Sequence, residues 1–131
     1  MKKTLNIFLI FLSIIIYSNS SYGEWIRISK VNKDRVILYI DFERIRKVGD
    51  YIYWWELIDK NNNNAGVLST QYYMQGDCKS FRRKVLKFIF HKQNMARDIG
   101  DEHPAPLKYG NWRSPTPNSN GEKGLEIVCN Y

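Results

Sequence analysis

The sequence predicts an α+β domain: an antiparallel β-sheet of about six strands, with one C-terminal helix packed on it and pinned by a disulfide. Three observations carry this. Short runs rich in β-branched and aromatic residues recur through residues 25–91, divided by turn clusters and with no helical period between them. Near the end of the chain, Ser119 and Glu122 stand at capping-box spacing before an apolar segment. The chain carries two cysteines, Cys78 and Cys129, one in each of these regions.

The first 23 residues are set aside from the fold. Lys2 and Lys3 give a positive start, an apolar run fills residues 5–17, and residues 18–23 are a polar tail closing on Ser21-Tyr-Gly23. This is the pattern of a secretory signal peptide, and it places the start of the mature chain at Glu24. The apolar run falls short of the roughly twenty residues of a membrane-spanning helix. No cysteine follows it, so the precursor offers no lipidation site. The expected mature chain, residues 24–131, has the size of one small domain. It holds eighteen basic and thirteen acidic side chains, a net charge of +5 against +7 for the whole chain. In an exported protein such an excess points to acidic envelope or extracellular surfaces and not to nucleic acid.

The strands follow in order. Residues 25–30, WIRISK, alternate cleanly; Asn32, Lys33 and Asp34 make a turn; residues 35–40, RVILYI, resume a β-branched run, so the two should form a hairpin. Asp41, Phe42 and Glu43 break the pattern, with the Asp41 carboxylate placed to bond nearby amides. Residues 44–48 lead to Gly49-Asp50, a hairpin dipeptide, and residues 51–58, YIYWWELI, return as a strand. That strand is apolar on both sides: Tyr51, Tyr53, Trp55 and Leu57 on one, Ile52, Trp54 and Ile58 on the other. Both faces therefore need a cover, and the helix supplies only one. A polar loop over residues 60–66, a strand over 67–74, a turn or bulge at Gly76 and a further strand in residues 78–91 complete the sheet.

Residues 94–118 hold all four prolines and show no period, which predicts a long irregular segment. The capping box then opens a short helix containing Leu125, Ile127, Val128 and Cys129. Gly121 and Gly124 weaken it by about 1 kcal/mol each relative to Ala. An oxidising compartment should join Cys78 to Cys129, consuming both thiols.

The ordered features Leu38-Tyr-Ile-Asp-Phe-Glu-Arg-Ile45, the hairpin, a cysteine late in the sheet and the closing Leu125-Glu-Ile-Val-Cys-Asn-Tyr131 resemble the surface-adhesin protein E family of Gram-negative bacteria. The resemblance spans nearly the whole mature chain. It implies an antiparallel sheet of about six strands with a helix on one side, and a binding protein that engages extracellular-matrix or serum proteins and can dimerise. The missing lipidation cysteine departs from the lipoprotein pattern, leaving periplasm, secretion and cell surface open as destinations.

Candidate binding residues fall into two groups. Lys79, Arg82, Arg83, Lys84 and Lys87 form the densest basic cluster, suited to sulfate, phosphate or carboxylate. On a regular strand Arg82 and Lys84 share one face while Arg83 and Lys87 share the other, so one patch requires a bulge, a twist or an edge. The aromatic group is Tyr51, Tyr53, Trp54, Trp55, Tyr72, Tyr73 and Trp112, of which about two-thirds are expected in the core, with one of Trp54 or Trp55 exposed or lying under the proline segment. His91 and His103 with Asp98, Asp101 and Glu102 make too loose a group for a metal or an acid–base pair. No GxSxG, HExxH or phosphate-binding loop occurs. The reading is a non-enzymatic exported binding protein without cofactor, its partners extracellular-matrix or envelope proteins or anionic glycans. The alternative is a periplasmic structural or envelope-assembly partner, a homodimer with its second aromatic face buried against another copy.

Overall fold

The computed structural model describes residues 23–30, 36–60 and 66–131. The expected signal segment, the first hairpin turn and most of the polar loop lie outside the described residues. Seven strands form one antiparallel sheet: β1 (Trp25–Lys30), β2 (Val36–Asp41), β3 (Arg46–Val48), β4 (Tyr51–Lys60), β5 (Ser69–Asp77), β6 (Arg82–His91) and β7 (Asp101–Pro104). Among the described residues a single α-helix, α1 (Asn120–Cys129), follows.

The count is seven rather than six because one edge of β4 is paired by two collinear segments. β2 lies against the C-terminal half of β4, from Ile40 opposite Glu56 to Val36 opposite Lys60, and β3 against its beginning, from Arg46 opposite Tyr53 to Val48 opposite Tyr51. Between them Phe42–Arg44 form a 3-10 turn, capped by Asp41, whose Oδ1 accepts from the Glu43 N–H at 3.1 Å.

Successive residues of a strand point to opposite faces, and residues directly opposite on neighbouring strands share one. One face of the sheet carries Ile40, Ile52, Trp54 and Met74, which pack with Leu125 and Val128 of α1 into the buried core. The capping box forms as the spacing predicts: Ser119 Oγ accepts from Glu122 N–H at 3.1 Å, while Glu122 Oε2 reaches back to the Asn118 N–H at 2.8 Å. The Cys78–Cys129 disulfide ties the end of α1 to the sheet.

Four local expectations are corrected. Gly76 is neither turn nor bulge but a regular ladder residue, opposite Ile52 and Arg83. A Cβ there would lie 2.9 Å from both Leu125 Cδ1 and the Trp54 ring, so the glycine is needed where helix and sheet meet most closely. Cys78 sits in the turn between β5 and β6, which begins only at Arg82. The proline segment is not wholly irregular: it supplies β7, a 3-10 turn at Asn94–Ala96 and a bridge between Arg113 and Arg83. It also occupies the free edge of β6, where Val85 N–H donates to Tyr109 O at 3.2 Å and Ala105 N–H to Leu86 O at 3.2 Å. Lastly, of the seven named aromatics only Trp54 is fully buried, because it lies on the face that the helix covers, while the other face is covered only in part among the described residues.

Candidate functional site

The second face is partly roofed. Near the C-terminal end of β4, the chain around the Asn94–Ala96 turn lies over Leu57, Asp59, Ser69 and His91, which are all buried. Polar bonds hold this roof: Met95 N–H donates to Asp59 Oδ1 at 2.8 Å, Ala96 N–H to Ser69 Oγ at 3.0 Å, and Ser69 Oγ–H to Gln93 O at 2.5 Å. Asp98 contacts His91 Nδ1 at 2.9 Å and accepts from Lys92 N–H at 3.1 Å. Burial raises the Asp98 carboxyl, but the Lys92 amide and His91 outweigh it and hold the group below the ordinary aspartate value.

Beyond the roof the face is open and consists of rings and cations. Trp55 stacks on Tyr73 with centroids 4.9 Å apart, and Tyr73 on Tyr53 at 6.2 Å. Gln75 Nε2 donates to Tyr53 Oη at 2.9 Å. Farther along, Tyr51 stacks on Trp112 at 5.4 Å. The cations interleave: Arg44 lies 5.4 Å from the Trp25 ring and 5.2 Å from that of Trp55, Lys87 Nζ is 5.5 Å from Trp55, Lys84 Nζ 4.9 Å from Trp112, and Arg82 6.0 Å from Trp112. Trp25, Trp55 and Trp112 each present the electron-rich ring face to a positive group.

A β-bulge assembles this row. Tyr73 pairs with Lys87 but Met74 pairs with Val85, so Leu86 has no opposite residue and the alternation of β6 is re-phased there. Lys87 consequently joins Arg82 and Lys84 on the open face, where a regular strand would send it to the other side. Arg83 turns the opposite way. Its Nη1 bonds Glu56 Oε1 at 2.7 Å beneath α1, and the same oxygen accepts from Trp54 Nε1 at 3.0 Å. Gly124 and Gly121 of the helix lie directly over this pair: a Cβ on Gly124 would be 2.8 Å from Glu56 Oε1.

The predicted residues are thus divided. Arg82, Lys84, Lys87 and Trp55 come together on the open face, with Tyr51, Tyr53, Tyr73 and Trp112 of the aromatic group. Arg83 and Trp54 belong to the buried network on the helix face, Trp54 with no exposed surface. Lys79 lies off the row in the β5–β6 turn, 3.8 Å from Asp50. Lys87 also contacts Glu102, at 3.2 Å on the surface.

Sequence reasoning missed Arg44 and Trp25. Arg44 is drawn onto the face by Asp41, its Nε donating to Asp41 Oδ2 at 2.6 Å, and the available signal was the three-residue spacing of that acid and base across a turn. At this end of the row lies a cavity of about 190 Å³ lined by Trp25, Arg44, Gln71, His91 and Asp98 among others. Two buried nitrogens of its lining, Arg44 Nη2 and His91 Nε2, have no hydrogen-bond partner among the described residues.

Among the described residues no group of three or more His, Cys, Asp or Glu could hold a metal ion, and no helix is long and apolar enough to cross a membrane. His103 and Asp101 make a separate contact of 2.9 Å, both exposed.

No curated protein sequence matches the chain. Three solved structures of Haemophilus influenzae protein E share its fold. One, a selenomethionine form, aligns at 18% identity with a TM-score of 0.60 over 86% of this chain and 89% of that one. A second crystal form gives 18%, 0.59, 86% and 91%, and protein E from a non-typeable strain gives 16%, 0.56, 86% and 79%. The family model for surface-adhesin protein E matches residues 25–130, and the chain belongs to that family.

Proposed function

We propose that this chain is an exported, non-enzymatic binding protein of adhesin type, with residues 1–23 directing export and the open face of the sheet as its working surface. The observation that carries the reading is the bulge at Leu86, which gathers Arg82, Lys84 and Lys87 beside Trp55 and Tyr73 on the part of this face beyond the roof. Rings that bury large area with few torsions, set among cations, make a surface able to hold an acidic partner. Family membership supports a surface role, and the partners that fit are extracellular-matrix or envelope proteins, or anionic glycans.

The test uses the mature chain immobilised and exposed to matrix proteins and to solubilised outer-membrane material over a range of salt. Binding should fall as salt rises, and the triple variant Arg82→Glu, Lys84→Glu, Lys87→Glu should lose about tenfold or more in affinity. Binding that is indifferent both to salt and to the triple change overturns the assignment of this face. A homodimer that forms through the face and is lost on changing Trp55 to Ser would favour the envelope-assembly alternative instead.

A further inference from the structure

Resting on that reading of the open face, we propose that its ligand is a linear, densely sulfated polysaccharide built of alternating uronic acid and amino sugar. Three features of the face select it. The first is shape. The rings and cations form a row along β4 and across β5 and β6, from Tyr51 and Trp112 through Tyr53, Tyr73 and Trp55 to Arg44 and Trp25. Five residues of β4 alone, Tyr51 to Trp55, span about 13 Å. A row of this kind fits an extended chain better than a compact anion.

The second is charge spacing. Arg82 and Lys84 are two residues apart on one strand face, about 7 Å, and Lys87 follows after the bulge. A polymer matching these cations carries charge on nearly every ring, which needs sulfates as well as carboxylates. A polysaccharide with a carboxylate on alternate sugars leaves cations unmatched.

The third separates a glycan from other polyanions. Uncharged polar groups stand among the cations: the Tyr53 hydroxyl, which accepts from Gln75 Nε2 at 2.9 Å, and Gln71 at the cavity. Such groups call for ligand atoms that donate and accept hydrogen bonds without charge, as sugar hydroxyls do. A nucleic-acid backbone satisfies the cations and offers few of these, and an acidic peptide offers amides but no row of apolar ring faces. The tryptophan and tyrosine rings meanwhile suit the apolar C–H faces of pyranose rings.

The test measures binding of the mature chain, residues 24–131, to a heparin decasaccharide by calorimetry and by tryptophan fluorescence. A hyaluronan decasaccharide, a single-stranded oligothymidylate and polyaspartate are run beside it. The heparin oligosaccharide should bind at least about tenfold more tightly than each of the other three. Arg82→Glu, Lys84→Glu and Trp55→Ala should each weaken it several-fold, while Lys79→Glu, off the row, should leave it unchanged. Equal affinity for the oligonucleotide or the peptide would reduce the face to a general cation surface and overturn the proposal. So would heparin binding that survives the triple charge reversal. If matrix or envelope proteins bind through Arg82, Lys84 and Lys87 but heparin does not compete, the glycan proposal fails and the binding-face reading stands. If neither protein nor glycan needs these residues, both fall.

Discussion

Two adjacent residues of one basic run show how the alternation of a strand divides a buried network from an open surface. Arg83 enters the space under the helix and neutralises Glu56, which is 3% exposed and also holds the Trp54 indole. Lys84, its neighbour, meets the Trp112 ring on the other face. Removing one partner of a buried ion pair leaves the other charge desolvated, whereas losing one cation from a ring on the open face costs little. Arg83→Ala should therefore lower unfolding free energy by about 3 kcal/mol, and Lys84→Ala by less than about 1 kcal/mol. Urea denaturation of the two variants checks this. Equal losses would mean that Glu56 finds water or another donor when Arg83 is gone.

At the scale of elements, α1 is a helix whose glycines have a packing purpose. In an exposed helix Gly124→Ala should stabilise by about 1 kcal/mol. Here the new methyl group would stand 2.8 Å from Glu56 Oε1, and the helix would have to move off the sheet or displace the Glu56 carboxylate from Arg83 and Trp54. Overpacking costs about 1–3 kcal/mol, so the steric term wins and the variant should unfold at lower temperature, as thermal circular dichroism would read. A rise in melting temperature would show that the helix can shift without breaking the Glu56 network. From sequence those glycines looked only like weaknesses, since a helix-propensity scale contains no information on what lies beneath the helix. The capping box at Ser119 and Glu122, the Gly49-Asp50 hairpin and the two-sided β4 were legible because each is set by residues close in sequence. The bulge at Leu86 was not. It depends on how β6 registers against β5, and the alternation of RRKVLK alone sends Lys87 to the wrong face. Gly76 misled for the same reason: its partners Leu125, Trp54 and Ile52 are distant in the chain.

For the whole molecule, the sheet separates two tasks. The helix face holds the core, the disulfide and the Glu56–Arg83 pair; the open face holds the row of rings and cations. Cys78 and Cys129 lie 51 residues apart, a loop whose closure contributes about 4 kcal/mol by the chain-entropy model. Opening it with Cys78→Ser and Cys129→Ser should lower the melting temperature strongly and loosen the end of α1. Arg82, Lys84 and Lys87, by contrast, are held by the β5–β6 ladder and the Leu86 bulge, neither of which contains a cysteine. At a temperature where the double variant remains folded, its affinity for an acidic partner should thus stay within about twofold of the parent, since no contact of the row passes through the helix. Parallel measurement of helix content and binding decides the matter. If affinity falls in step with helix signal, the two faces are coupled through Trp54 and Trp55, which alternate on β4, and the covered face sets the shape of the open one.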